Sequence, residues 1–244
     1  MVNFKPYQEK FDTIGKNKDN VVIINNFIKE EDLVKINNYL GQKIDDDEFL
    51  GGKDLRLEVV KLESPEVGEL VIQYEEKIYD EVVKAFTEKH GVSIVRKPVN
   101  PTHFIKWAPG MNSGLHSDCE THDGKPAETG NFYKYNVSVL AYPNDNYEGG
   151  EITFPDYDIV LKPKAGDLII FPGNSYYKHT VEIVKSGIRY TMPSWYSFDV
   201  ADDSEITVAG SYLDSGQLWP DSPNRDLVGD KTKEAYLNRE NTNG

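Results

Sequence analysis

A single cysteine, Cys119, leaves this chain unable to build an internal disulfide framework or a zinc cage of thiolates. A reducing, cytoplasmic setting fits that scarcity. Basic residues are also few: 27 Lys and Arg stand against 41 Asp and Glu, a formal charge of -14. Such a surface repels phosphate, and no local basic groove is visible, so a nucleic-acid partner is not expected. Apolar runs are short, none nearing the roughly eighteen residues of a membrane span. Met1 to Pro6 place charge and proline where a secretory signal would be apolar, so neither a targeting segment nor a membrane partner is expected. No internal repeat and no long linker is present, and 244 residues suffice for one domain with a sizeable core.

What is present changes texture along the chain. Residues 1–20 are polar and mixed, and Val21-Val22-Ile23-Ile24 follows as a β-branched buried strand. Glu30-Glu31-Asp32 opens a short helix with Leu33, Ile36 and Leu40 on one face, stopped by Gly41. Ser64 as N-cap, Pro65 and Glu66 start a longer helix whose stripe is Val67, Leu70, Val71, Tyr74, Ile78, Val82, Ala85 and Phe86, ending near Gly91. Beyond residue 91 the chain breaks into short β-branched and aromatic runs, with strands expected at 93–96, 103–107, 135–142, 151–154, 158–161, 167–171, 177–183 and 189–198. Many short strands with tight turns read as a β-sandwich or barrel, the jelly roll being one closure. The expected plan is one domain over 1–200, with a helical buttress at about 21–91 and a β core at about 92–200, and a peripheral tail at 201–244.

Chemistry concentrates in two places. His116-Ser117-Asp118 follows the turn signal Pro109-Gly110, and in an extended chain residues i and i+2 share a face, so an imidazole and a carboxylate could meet one ion. Alone, that triplet occurs often by chance and reads more readily as a surface loop. Farther on, Gly166 to Pro172, Tyr176 to Val181 and Ser186 to Thr191 form a strand–turn–strand–turn–strand meander that could bring His179 beside it. Two histidines and one carboxylate make the facial triad that leaves positions open on iron(II). Arg189 and Thr191 lie one hairpin further, and a guanidinium fork with a hydroxyl beside it suits a carboxylate.

The order and spacing of several segments resemble the prolyl 4-hydroxylase branch of the iron(II)/2-oxoglutarate-dependent dioxygenases, from about Val21 to Phe198. The matching pieces are Trp107-x-Pro109-Gly110, His116-x-Asp118, Tyr142-Pro143-Asn144, Tyr147-Glu148-Gly149-Gly150-Glu151-Ile152-Thr153-Phe154, Pro163-Lys164-Ala165-Gly166-Asp167, His179 with Val181-Glu182, and Ser186-Gly187-Ile188-Arg189-Tyr190 through Trp195-Tyr196. The resemblance implies a mainly β fold with N-terminal helices around a double-stranded β-helix, or jelly-roll, core. It implies that His116, Asp118 and His179 are the iron ligands and that Arg189 pairs with the 5-carboxylate of 2-oxoglutarate, with Tyr142 on the same carboxylate and Thr191 a candidate second donor. It sets Trp195 beside the substrate pocket. The implied reaction consumes O2 and 2-oxoglutarate, with ascorbate as an optional reductant, and releases succinate and CO2 as a C–H bond is hydroxylated. The implied partner is a prolyl residue in a peptide or protein, plausibly proline-rich.

Three departures stand out. Arg189 replaces the lysine of collagen-type enzymes, Trp107 stands where tyrosine is common, and the loop 120–134 aligns with nothing. Competing readings are a hydroxylase of a free amino acid or other small molecule, and a non-catalytic jelly-roll protein binding a metabolite or metal. A nucleic-acid demethylase is disfavoured because Trp195 stands where that branch carries a second arginine. A zinc cluster of His116, Cys119 and His122 is disfavoured because it would compete with the triad. Gly149-Gly150 reads as a turn, since no helix signal or lysine follows to make a phosphate cradle.

Overall fold

The computed structural model describes residues 3–43, 54–120 and 132–200. His122, the acidic run 45–48, most of the loop 120–134 and the segment from 201 onward therefore lie outside the described residues.

The first element, α1 (Lys5–Ile14), is absent from the sequence expectation. Its buried residues Tyr7, Phe11 and Ile14 keep helical spacing, but three apolar positions in a polar segment give a faint signal. Gly15 ends it at φ 69, its N–H bonded to the Phe11 carbonyl at 2.8 Å. The helix is held from outside: Phe11 packs edge-on against Phe198 and Tyr7 against Tyr133. Strand β1 (Val22–Ile24) follows, then β2 (Asp54–Leu55) after α2 (Glu30–Gly41). Gly41 is the last helical residue of α2, not the one beyond it.

A short helix, α3 (Leu57–Glu63), also went unforeseen, and it corrects the reading of Ser64. The Ser64 side chain caps nothing; its N–H instead closes α3 on the Val60 carbonyl, and Pro65 starts α4 (Pro65–Val82). The stripe expected on α4 is buried from Val67 to Val82, and a widened turn (Val83–Glu88) keeps Phe86 inward before Gly91 at φ 67. Among the described residues no helix is long and apolar enough to cross a membrane.

The remaining strands are β3 (Phe104–Trp107), β4 (Ser113–His116), β5 (Val137–Ala141), β6 (Glu148–Gly149), β7 (Ile152–Phe154), β8 (Ile159–Leu161), β9 (Leu168–Pro172), β10 (His179–Val181), β11 (Val184–Ser186) and β12 (Arg189–Tyr196). They pair antiparallel into a major sheet ordered β1-β9-β5-β12-β3-β2, a minor sheet ordered β4-β10-β7-β8 and a ribbon of β11 with β6. The expected strand at 93–96 shrinks to one bridge, Ile94 to Phe198. The expected strand at 177–183 shrinks to β10 between the end of a turn (Ser175–Tyr177) and the residues that lead into β11, and Gly149 belongs to a strand as well as a turn.

Strand alternation explains how the major sheet serves two cores. Val137, Val139, Ala141, Leu168, Ile170, Tyr190, Met192 and Tyr196 join the helices in one cluster. The intervening Tyr142, Ile169 and Phe171 meet Ile152 and Phe154 of the minor sheet in another. Two antiparallel sheets closed face to face, with helices on the outer side of the larger, make the jelly-roll arrangement expected. The space between the sheets is where the polar residues of interest converge.

Candidate active site

His116 ends β4 and His179 begins β10, and the register sets them directly opposite each other. Asp118 arrives differently from expected. The strand stops at His116, and the turn after it, not strand alternation, delivers the carboxylate. That turn is anchored at the end of β9, where the Gly173 carbonyl accepts the N–H groups of both Asp118 and Cys119 at 2.9 and 3.0 Å. A side chain at 173 is sterically closed off, since a Cβ there would sit 1.9 Å from the Tyr135 carbonyl oxygen.

The three side chains present one ligand atom each within 4.8 Å of one another, the one such group among the described residues. Asp118 Oδ1 lies 3.6 Å from His116 Nε2, and Oδ2 lies 4.0 Å from His179 Nε2. The imidazoles are oriented for coordination. His116 Nδ1 faces the Gly114 carbonyl at 2.7 Å and His179 Nδ1 the Tyr177 carbonyl at 3.2 Å. A carbonyl accepts only, so each Nδ1 carries the proton and each Nε2 keeps its lone pair. Burial pushes the His179 pKa below its usual value, outweighing Asp118, so the ring is neutral near neutral pH. Ser138 Oγ–H donates to Asp118 Oδ2 from β5. Two imidazoles and one carboxylate are a donor set that suits a non-haem iron(II) ion.

A second polar cluster begins at Arg189, which is 1% exposed and opposite Trp107 in the register. Its guanidinium carbon lies 5.2 Å from the ring centres of both Trp107 and Tyr142. Nη2 donates to the Tyr142 hydroxyl at 3.3 Å, whereas Nε and Nη1 are buried without a hydrogen-bond partner. A buried cation with orphan donors is missing an acceptor. Burial raises the Tyr142 pKa to about 12, against the opposing pull of Arg189, so the hydroxyl accepts from Arg189 and keeps a proton to give. Thr191 Oγ1 accepts the Trp107 indole N–H at 3.2 Å, which leaves its proton free to point elsewhere. Gly150 makes room, for a Cβ there would sit 2.8 Å from Arg189 Cδ, and its φ is 67.

Trp195 lies on β12 beside Ser138 of β5, six residues beyond Arg189. At about 3.3 Å per residue the strand therefore spans roughly 20 Å, from the guanidinium to the aromatic end. There Trp195, half-buried, stacks on Tyr135 at 4.7 Å and 14°, with His103 at 6.0 Å. The structure thus brings His116, Asp118 and His179 together at the minor sheet and Arg189, Tyr142 and Thr191 together at the major one, with Trp195 set apart at the far end of β12. Cys119 stands apart: it is buried in the helix-side cluster, its thiol pKa driven up by burial, and it joins no metal-binding group among the described residues. Sequence reasoning overlooked Ser138, although a polar residue four before Tyr142, on the inward-facing phase of β5, was a usable signal. It also left open what Trp107 does, which is to hold the Thr191 hydroxyl.

Comparison with known proteins agrees with this arrangement. Residues 102–197 match the family model described as the 2OG-Fe(II) oxygenase superfamily. A PKHD-type hydroxylase of Crocosphaera subtropica is 27% identical over 118 residues, 47% of this chain and 50% of that protein. Prolyl 3-hydroxylase 2 of Homo sapiens is 36% identical over 67 residues, 25% of this chain and 10% of that protein. The chain thus spans at most about half the length of these relatives. Among solved structures, a viral collagen prolyl hydroxylase of Paramecium bursaria Chlorella virus-1 superposes with TM-score 0.52 at 17% identity, covering 75% of this chain and 97% of that one. A Pseudomonas putida prolyl-4-hydroxylase gives 0.52 at 15% identity, with 76% and 96% covered. These similarities establish the double-stranded β-helix fold.

Proposed function

We propose, for a chain whose residues 102–197 match the model of the 2OG-Fe(II) oxygenase superfamily, that it is such an oxygenase and hydroxylates a prolyl C–H bond in a peptide or protein while consuming 2-oxoglutarate and O2. The observation that carries this reading is the pair of orphan buried nitrogens on Arg189, in a chain that also gathers His116, Asp118 and His179 around one point. In this reading His116, Asp118 and His179 hold Fe(II), and Arg189 with Tyr142 and Thr191 holds the far carboxylate of the cosubstrate. Fe(II) and 2-oxoglutarate, when bound, supply the oxidising chemistry: one atom of O2 enters succinate as CO2 leaves, and the other becomes the new hydroxyl.

The protein's own part is positional. Ser138 fixes the Asp118 carboxylate, and the Gly114 and Tyr177 carbonyls fix both imidazoles, so three ligands face one point with little left to reorganise. Arg189 sits between aromatic faces in a water-poor pocket, where a charge-assisted fork to a carboxylate is strong. No side chain is required as nucleophile.

For the substrate, the stacked Trp195 and Tyr135 offer a flat apolar wall against which a pyrrolidine ring could rest. A polyproline segment enters already extended and so loses little entropy on binding. The names of the relatives, prolyl 3-hydroxylase and PKHD-type hydroxylase, support the choice of a prolyl residue. The test is oxygen incorporation into proline-rich peptides against free L-proline, with succinate measured and the 3- and 4-hydroxyproline isomers separated by chromatography. Turnover of the free amino acid with none on any peptide would reject the peptidyl substrate and leave the oxygenase reading in place.

A further inference from the structure

We infer that Tyr147 is a further binding residue for the cosubstrate, donating its hydroxyl to the same far carboxylate as Arg189. The inference rests on the oxygenase reading above and extends it to a residue with no assigned role. Tyr147 is 5% exposed, and its hydroxyl makes no hydrogen bond. Among the described residues five buried side-chain polar atoms lack a partner, and three of them are Tyr147 Oη, Arg189 Nε and Arg189 Nη1. Buried polar atoms are almost always satisfied, so orphans gathered in one place mark a missing ligand more readily than three separate defects.

Gly150 shows that the orphans belong together. A Cβ built there would lie 2.8 Å from Arg189 Cδ and 3.3 Å from Tyr147 Cε2, so the arginine stem and the tyrosine ring share one wall. Burial holds the Tyr147 pKa up against the charge and the hydrogen-bonding pull of the nearby Arg189 guanidinium, so the hydroxyl stays protonated; the two groups approach without a hydrogen bond of good geometry, and the tyrosine proton is left to give. Packing fixes the residue from behind, where a Cβ on Gly187 would meet Tyr147 Cα at 3.0 Å.

The chemistry of the missing group follows from what surrounds it. Arginine only donates. The Tyr142 hydroxyl already accepts from Arg189 and Thr191 from Trp107, so both have protons to offer. Tyr147 adds a further proton. A cationic pocket with this many N–H and O–H donors, and only hydroxyl lone pairs to accept them, calls for an acceptor with several lone pairs and negative charge, which a carboxylate provides. If the Tyr147 ring were filler alone, phenylalanine would serve equally well.

The experiment compares Tyr147→Phe with wild type as the metal-loaded protein without oxygen, titrated with 2-oxoglutarate and, separately, with 2-oxobutyrate, which lacks the far carboxylate. The variant is expected to bind 2-oxoglutarate about tenfold more weakly, as fits one hydrogen bond to a charged group. Its affinity for 2-oxobutyrate and for Fe(II), and its unfolding midpoint, should stay at wild-type values. Unchanged 2-oxoglutarate affinity would overturn the inference and leave the oxygenase reading standing. Equal weakening of both oxo acids would overturn it too, by showing a structural role. A wild type that binds iron but no 2-oxoglutarate would overturn both.

Discussion

Replacing Arg189 by methionine should push stability and cosubstrate binding in opposite directions. The side chain is 1% exposed, with two nitrogens unpaired and no described carboxylate beside it. In the ligand-free protein it is a buried cation held only by one long bond to Tyr142 and by the faces of Trp107 and Tyr142. Exchanging buried charge for an apolar side chain of similar length commonly gains about 1–4 kcal/mol, against a loss of about 0.5–2 kcal/mol in cation–π attraction. The two ranges centre on a net gain of about 1 kcal/mol, which for a chain of this size raises the unfolding midpoint by about 2–4 °C. Binding should fall at the same time. Two charge-assisted bonds at about 1.5–3 kcal/mol each amount to roughly a hundred- to ten-thousandfold in 2-oxoglutarate affinity. The assay is thermal unfolding of the metal-free chain, then of the Mn(II)-loaded chain with and without 2-oxoglutarate. At a hundred times its dissociation constant the ligand should stabilise wild type by about 2.7 kcal/mol and leave Arg189→Met unmoved. A methionine variant that unfolds earlier than wild type yet still responds to 2-oxoglutarate would show that the arginine is a structural residue and refute the reasoning.

Other expectations concern the metal and the space around it. His179→Ala should lower iron affinity by more than about a hundredfold, a ligand loss exceeding the effect of an outer-shell change, and abolish succinate formation in a variant shown to fold by circular dichroism. Ser138→Ala should weaken iron about ten- to a hundredfold by freeing the Asp118 carboxylate, with Ser138→Thr recovering part of the loss in a Co(II) titration. Gly150→Ala combines a φ of 67 with a Cβ 2.8 Å from Arg189 Cδ, and it should cost about 1–3 kcal/mol in denaturant unfolding while weakening 2-oxoglutarate more than iron.

How much of this could be read in the residues depended on what kind of signal each element leaves. Helix α4 writes its buried face into seven apolar positions, and strands such as β9 and β12 into dense β-branched and aromatic runs, so both were legible. Helix α1 was not, because Tyr7 and Phe11 gain their partners from Tyr133 and Phe198, more than a hundred residues away. The metal group was legible as residue types, but the reason offered for the His116 and Asp118 pairing was wrong. The aspartate is placed by a carbonyl from a distant strand, a contact that no local periodicity encodes. The same holds for Ser138, whose role exists only because β5 passes behind the turn. Local pattern reports which face is buried; it does not report which buried polar groups will meet.

The double bond of the Gly173 carbonyl to Asp118 and Cys119 bears on how fast the site can come apart. Gly173 directly follows β9, an interior strand of the major sheet paired on both sides, with β1 and with β5. The turn carrying the aspartate is therefore moored to the part of the sheet expected to open last. Its two amides should exchange with solvent deuterium at rates set by global unfolding, although strand β4 beside them is an edge strand paired only with β10 and frays more readily. Loss of an ion held there would leave the aspartate's backbone in place, and reloading would be a matter of diffusion and small side-chain adjustment, with no refolding step to wait for.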